Sequence, residues 1–255
     1  MNIFKTKENT LFFILGGFFI ANALIAEFIG VKIFSLENSL GLEAFEYTIL
    51  HNSMSLNLTA GVILWPIVFV MTDIINEYFG IKGVRFLSYL TVGLIGYAFI
   101  GVYLAIHLSP ATWWVDSAKA VGVPNFQLAF EKVFGQGLWI ILGSLIAFLL
   151  GQVIDVHIFQ KIKSITGDKQ VWIRATGSTL ISQLIDSFVV LFIAFKLGAD
   201  WSWSLLFAVG LNNYLFKFFI ALVLTPLIYL SHAMIDFYLG KTLANQLKNE
   251  ARLEN

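Results

Sequence analysis

Long apolar runs dominate this chain. Six of them approach the ~20 residues that cross a hydrocarbon core: Leu11–Ile33, Leu58–Tyr78, Phe86–Leu108, Leu138–Phe159, Ala175–Leu197 and Leu205–Leu230. They predict an all-α polytopic membrane protein with six transmembrane helices, forming one transmembrane domain over residues 1–255. Glycine and proline inside the runs, such as Gly16, Pro66, Gly143 and Pro226, are tolerated where neighbouring helices satisfy the freed backbone groups. The first run is too long for a cleavable signal peptide and reads as a retained helix. Two polar interruptions, Ser35–Asn57 and Ser109–Gln136, exceed simple connections. In the second, Phe126, Phe130 and Phe134 share one helical face, and Trp113–Trp114 suits a membrane interface. Both interruptions read as short amphipathic helices at the outer surface, serving as anchors or as lids over a cavity.

Loop charge gives an orientation. Lys5, Lys7, Lys82, Arg85, Lys161, Lys163, Lys169, Arg174, Lys241, Lys248 and Arg252 fall on one side of the alternating runs. Lys32, Lys119, Lys132 and Lys196 fall on the other, and Lys217 lies inside a run. Eleven against four predicts both termini in the cytoplasm. Six runs also divide into two threes, which would be inverted repeats; the paired Gln152-x-x-Asp155 and Gln183-x-x-Asp186 motifs lie in adjacent runs and do not establish one. With 58% hydrophobic and 13% charged residues, the composition lies far from the ~25% charged residues of soluble domains. Net charge is zero, so no field favours nucleic acid. The absence of cysteine excludes disulfides, thiolate metal sites and cysteine nucleophiles.

The candidate chemistry lies in polar residues embedded in the runs. In WPIVFVMTDIINEYFG, residues 65–80, Asp73 stands three residues from Asn76 and four from Glu77, so the three share a helical face. An acid at bilayer depth costs roughly 2.5–3.5 kcal/mol on insertion scales. This face therefore needs water, a partner or a solute; its alternative is a helix end in the headgroup zone. Thr179, Gln183 and Asp186 form a polar stripe beginning after Arg174. Asp186 lies about 18 Å of helical rise from that arginine, too deep to snorkel. Asn212, Asn213 and Lys217 sit on the sixth run, and Asp186 or Glu77 is the natural partner for the lysine. Glu27, Gln152 and Asp155 lie nearer run ends, where an interfacial role competes.

Acids, amides, one lysine and nearby aromatics such as Trp65 and Phe69 suit a flat heterocycle with several donors and acceptors. A carboxylate accepts two parallel N–H bonds from a guanine-like edge, amides read the remaining edge, and rings stack on the face. The four histidines, His51, His107, His157 and His232, lack metal-ligand spacing. No Ser/His/Asp arrangement, HExxH or glycine-rich phosphate loop occurs, so no enzyme and no cofactor is predicted.

TDIINEYFG at Thr72–Gly80, RATGSTLISQLIDSF at Arg174–Phe188 and NNYLFKF at Asn212–Phe218 resemble the bacterial queuosine precursor transporter family. That family sits in the vitamin uptake transporter group, related to substrate-binding subunits of energy-coupling-factor importers. The resemblance extends from the first run to the sixth. It implies import of 7-cyano-7-deazaguanine or 7-aminomethyl-7-deazaguanine across the bacterial cytoplasmic membrane.

Joined to that resemblance, the residues give a specific expectation: a purine-like solute in a cavity between the second, fifth and sixth runs. Asp73, Asn76, Glu77, Arg174, Gln183, Asp186, Asn212, Asn213 and Lys217 would form the site. Asp186 or Glu77 would accept the solute's N–H groups, and Gln183, Asn212 and Asn213 would bond its carbonyl and ring nitrogens. Lys217 would balance the acids, while Asp73 and Asn76 would work the cytoplasmic end. Membrane lipid is the expected surrounding partner. A homo-oligomer and an ATPase module are left open, as is proton coupling against uniport. The rival readings are a binding subunit of an ATP-driven importer, a membrane enzyme and a non-transporting scaffold.

Overall fold

A computed structural model describes residues 6–43, 45–135, 137–166 and 171–253. The first helix, α1, spans Lys7–Ile29, with the Thr6 hydroxyl capping the amide of Asn9. It buries Leu11, Leu15, Phe19, Ala23 and Ala26 at four- and three-residue spacing, and turns Phe13, Ile14 and Phe18 outward. Apolar side chains on both faces are the mark of a helix bathed in lipid. Further along lie α2 (Leu36–Ser39), α3 (Trp65–His107), α4 (Thr112–Val115), α5 (Phe126–Phe134) and α6 (Leu138–Thr166). Then follow α7 (Val171–Leu191), a π-helical extension over Phe192–Leu197, α8 (Trp203–Leu239) and α9 (Lys241–Leu253). Among the described residues, five helical stretches are long and apolar enough to cross a membrane.

Five stretches appear where six runs were expected because two runs share α3. This helix has 43 residues, about 65 Å at 1.5 Å per residue, twice the ~30 Å hydrocarbon thickness. It is interrupted at Gly80, whose φ of 64° and ψ of −171° lie outside helical space. Contacts with α1 reverse at that point. Before it, a Cβ on Gly61 would come 2.8 Å from the carbonyl of Ala26, and the Phe79 ring lies 4.9 Å from that of Phe12. After it, Leu87 abuts Gly16 and the Phe99 ring lies 5.4 Å from Phe28. Residues 65–79 therefore run antiparallel to α1, and residues 81–107 run parallel to it. The chain doubles back through a single residue of non-helical backbone, Gly80.

The two interruptions fold differently. Among the described residues of 33–59 there are two three-residue antiparallel ladders, Ile33↔Thr59 to Ser35↔Asn57 and Tyr47↔Met54 to Ile49↔Asn52, and one short helix, α2. This corrects the expectation of amphipathic helices there: such short strands leave no readable alternation, and their register depends on residues far apart in sequence. Glu37 holds the loop, accepting the Leu56 amide at 2.8 Å and the Ser35 hydroxyl at 2.8 Å. Residues 109–135 carry the short helices α4 and α5. The Trp114 ring meets Phe126 at 5.1 Å and Phe130 at 6.0 Å, and Phe134 reaches Phe28 at 6.5 Å.

The opposite end of the bundle gathers both described termini. Lys7 Nζ donates to the Tyr238 carbonyl at 2.8 Å, and Arg85 meets His157 at 3.1 Å. Helix α9 buries Ala244, Leu247 and Ala251 and lies under the Gly80 reversal, where a Cβ on the glycine would stand 3.3 Å from the Ala251 Cα and carbonyl. Lys5 and Lys169, part of the charge asymmetry, lie outside the described residues.

Candidate functional site

Four helical segments meet around the embedded polar residues: 65–79 of α3, α6, α7 and α8. Their small residues permit close approach. A Cβ on Gly151 would already touch Asp186 Cβ at 3.7 Å and the Phe69 ring at 3.9 Å. Between α3, α7 and α8 lies a narrow, partly open cleft with a free interior of about 20 Å³, room for one or two water molecules as it stands. Its walls are mainly apolar, with Trp65, Pro66, Val70, Leu224 and Ile228 among them. Asp73, Thr176, Thr179, Gln183 and Lys217 supply its polar groups.

The candidate residues separate into distinct clusters. Asp73 is buried in the cleft wall and accepts from the Thr179 hydroxyl at 3.2 Å and Ser178 at 3.4 Å. Gln183 is 4% exposed, and its Oε1 has no hydrogen-bond partner. A buried acceptor left open costs about 1–3 kcal/mol. Lys217 lines the same space and donates to Asp186 Oδ2 at 2.5 Å. Asp186 itself stands behind the lysine, against Gly151.

Glu77 and Arg174 lie elsewhere. Arg174 Nη2 reaches Glu77 Oε1 at 2.7 Å, and Lys163 Nζ reaches Oε2 at 3.2 Å, with all three side chains 1% exposed. The Arg174 guanidinium also lies over the Phe159 ring at 5.7 Å. This is a closed triad that pins α6 and α7 to the end of the first arm of α3. Asn76 turns to α6, receiving Gln160 Nε2 at 2.6 Å and donating to the Val156 carbonyl at 3.4 Å. Asn212 belongs to the outer loop: Tyr47 donates its hydroxyl to Asn212 Oδ1, and Asn212 Nδ2 reaches the Ser55 carbonyl at 3.5 Å. Asn213 is half-buried on α8, outside the residues that line the cleft.

Several participants were not among the candidates. Thr176 and Thr179 carry the polar lining between Asp73 and Gln183; Thr179 belongs to the stripe read from spacing but not to the expected site residues, and Thr176, one turn before it, carries the same signal. Lys163 was counted as loop charge, yet it is buried on Glu77. Asp155 was assigned to a run end, yet it is fully buried, accepts the Ser182 hydroxyl at 3.0 Å and faces Asp73. Its neighbour Gln152 accepts from Thr72 at 2.8 Å. Nothing in the local sequence distinguishes a buried run end from an interfacial one.

An apolar helical bundle with a narrow, mainly apolar cleft that carries a few buried polar groups defines a multi-pass membrane protein. Residues 59–231 match the family described as "Putative vitamin uptake transporter", and the chain belongs to that family. It is 33% identical over 71% of its length to a "Probable queuosine precursor transporter" of Bacillus subtilis (strain 168), covering 74% of that protein. It is 27% identical over 68% to a protein of the same description from Haemophilus influenzae, covering 67% of it. It is 25% identical over 65% to the "Queuosine precursor transporter" of Escherichia coli (strain K12), covering 68%. No solved structure matches the chain. Family and apolar helices together place it as a multi-pass protein of the bacterial cytoplasmic membrane.

Proposed function

We propose that this protein imports queuosine precursors, the 7-cyano- and 7-aminomethyl-7-deazaguanines, across the bacterial cytoplasmic membrane through the α3–α7–α8 cleft. The observation that carries the reading is the open acceptor of Gln183, set beside Asp73 and Lys217 in an otherwise apolar cleft. A guanine-like edge presents adjacent N–H donors and a carbonyl acceptor. Asp73 and Gln183 Oε1 accept the donors, Lys217 and the Thr176 and Thr179 hydroxyls serve the acceptors, and Trp65 covers the flat face. Membership of a transporter family and the names of the relatives point the same way.

The two arms of α3 count as separate spans in this reading, giving six. The end bearing Lys7, Arg85, Lys248 and Gly80 is cytoplasmic, as the excess of basic residues favours. The outer ladders, tied to α8 through Tyr47–Asn212 and Asn52–Ser204, then stand over the periplasmic or external mouth. Lipid covers the outward-facing aromatics, and the protein performs no chemistry on its solute.

The test is uptake of radiolabelled 7-cyano-7-deazaguanine by proteoliposomes containing only this protein. Saturable uptake, competed by the aminomethyl compound and reduced about two- to tenfold in Gln183→Leu, is the expected result; one hydrogen bond between neutral groups is worth about 0.5–1.5 kcal/mol. Uptake equal to empty liposomes would overturn the reading.

A further inference from the structure

Asp73 of α3 and Asp155 of α6 approach one another at α7, where Ser178 bonds Asp73 at 3.4 Å and Ser182, one turn further on, bonds Asp155 at 3.0 Å. They are 1% and 0% exposed. Hydroxyls surround them: Ser178 and Thr179 on Asp73, Ser182 on Asp155. Asp155 Oδ2 nevertheless has no donor. Two carboxylate oxygens held together in a dry interior are both acceptors and repel; a proton between them converts the contact into a hydrogen bond.

The charged groups nearby are committed to other partners. From α7, Arg174 is bonded to Glu77 of α3, and Lys163 of α6 shares that acid. From α8, Lys217 is bonded to Asp186 of α7. Glu27 of α1 receives the Ser144 hydroxyl. Among the described charged groups, Lys217 alone shares the cleft lining with Asp73. Gln183 Oε1, buried and open, stands in that lining as well, so the carboxyl pair communicates with the space where a solute would lie.

We infer that the Asp73–Asp155 pair is a proton site and that the protein is a proton-coupled importer, an inference that rests on the import reading above. Asp73 receives the proton from the cleft, and Asp155 Oδ2 shares it. The proton leaves to the cytoplasm when water reaches the pair, and two carboxylates remain until the next proton arrives from outside. One proton enters and one is delivered per cycle, with no bond made or broken in the solute. Asp73 belongs to both cleft and pair, which joins solute occupancy to protonation. Asp155 belongs to the pair alone and acts through Asp73.

The experiment uses proteoliposomes of the full chain, labelled 7-cyano-7-deazaguanine, and a potassium–valinomycin clamp on voltage. An imposed gradient of one pH unit, inside alkaline, raises accumulation by about tenfold if one proton accompanies each solute. Asp155→Asn keeps solute-for-solute counterflow and loses the response to the gradient. In the unmodified protein, adding solute outside makes the outer medium more alkaline, a readout that needs no variant. Counterflow with no gradient response and no alkalinisation in the unmodified protein would sink the proton inference and leave import standing. A full gradient response in Asp155→Asn would remove this pair as the site. Absence of counterflow in the unmodified protein would overturn the import reading itself.

Discussion

Lys217 on α8 holds Asp186 on α7 at 2.5 Å, each side chain 17% exposed. The pair joins the two helices beside the cleft, and the lysine forms part of the cleft wall. Removing one partner strands the other's charge in a poorly hydrated place. Lys217→Ala is expected to lower stability by about 3 kcal/mol, the lower end for a broken buried pair given the partial exposure. The double variant Lys217→Ala/Asp186→Asn should recover much of that loss, since no charge is left unpaired. Thermal unfolding in detergent measures both. Asp186→Asn alone should insert normally and cut uptake; uptake at the unmodified level would remove this acid from the mechanism.

The Glu77 triad is drier, at 1% exposure for all three side chains. Glu77→Gln leaves Arg174 and Lys163 without their shared anion. The expected loss is about 4–5 kcal/mol, larger than for the Lys217 pair. Side-by-side melting of Glu77→Gln and Asp186→Asn checks the order; equal melting temperatures would show that burial does not set the cost here.

Gly80 has both a backbone conformation reserved for glycine and a neighbour that blocks a side chain. Its φ of 64° and ψ of −171° fall in a region essentially closed to other residues. A Cβ there would also press on the Ala251 backbone at 3.3 Å. Gly80→Ala should cost about 1–3 kcal/mol and loosen α9, seen as faster proteolysis within residues 241–253. Ala251→Gly should not rescue it, because the carbonyl and the strained φ remain.

Glu37 gives the outer loop a dependence on acidity. The Leu56 amide, then its own backbone and the Ser35 hydroxyl, hold its carboxyl below the ordinary 4.5. A lowered value in the folded loop means that the ionised form stabilises it. That contribution is complete above pH 4.5 and disappears as the pH falls through the folded value. Hydrogen-exchange protection over residues 36–58, relative to the intrinsic rate at each pH, should therefore fall on acidification below about pH 4.5, and Glu37→Gln should abolish the change.

The long helices were legible because a membrane demands long uninterrupted apolar runs, and α6, α7 and α8 begin within a few residues of the expected places. The reversal at Gly80 was legible only as two runs, since one glycine replaces the loop that usually separates spans. The polar stripe on α7 was readable from spacing alone, and its members Thr179 and Gln183 do line the cleft. Which acid meets which cation was not readable. Glu77, Asp186 and Asp73 look alike in sequence, yet one lies in a triad, one in a pair and one against another carboxyl. Those differences arise from contacts between helices far apart in sequence, up to 106 positions in the case of Thr179 on α7 and Asp73 on α3. Lys163 and Asp155 were hidden for the same reason: a charge near a run's end carries no mark of being covered by a neighbour.

The doubling-back at Gly80 bears on how the chain is made. Its two arms are joined by a single non-helical residue and both pack on α1, a geometry that favours their entry into the bilayer as one hairpin beside α1. A lesion at that glycine would thus strike biogenesis before it touched transport, and yield of inserted protein would fall ahead of any change in the activity of the molecules that succeed.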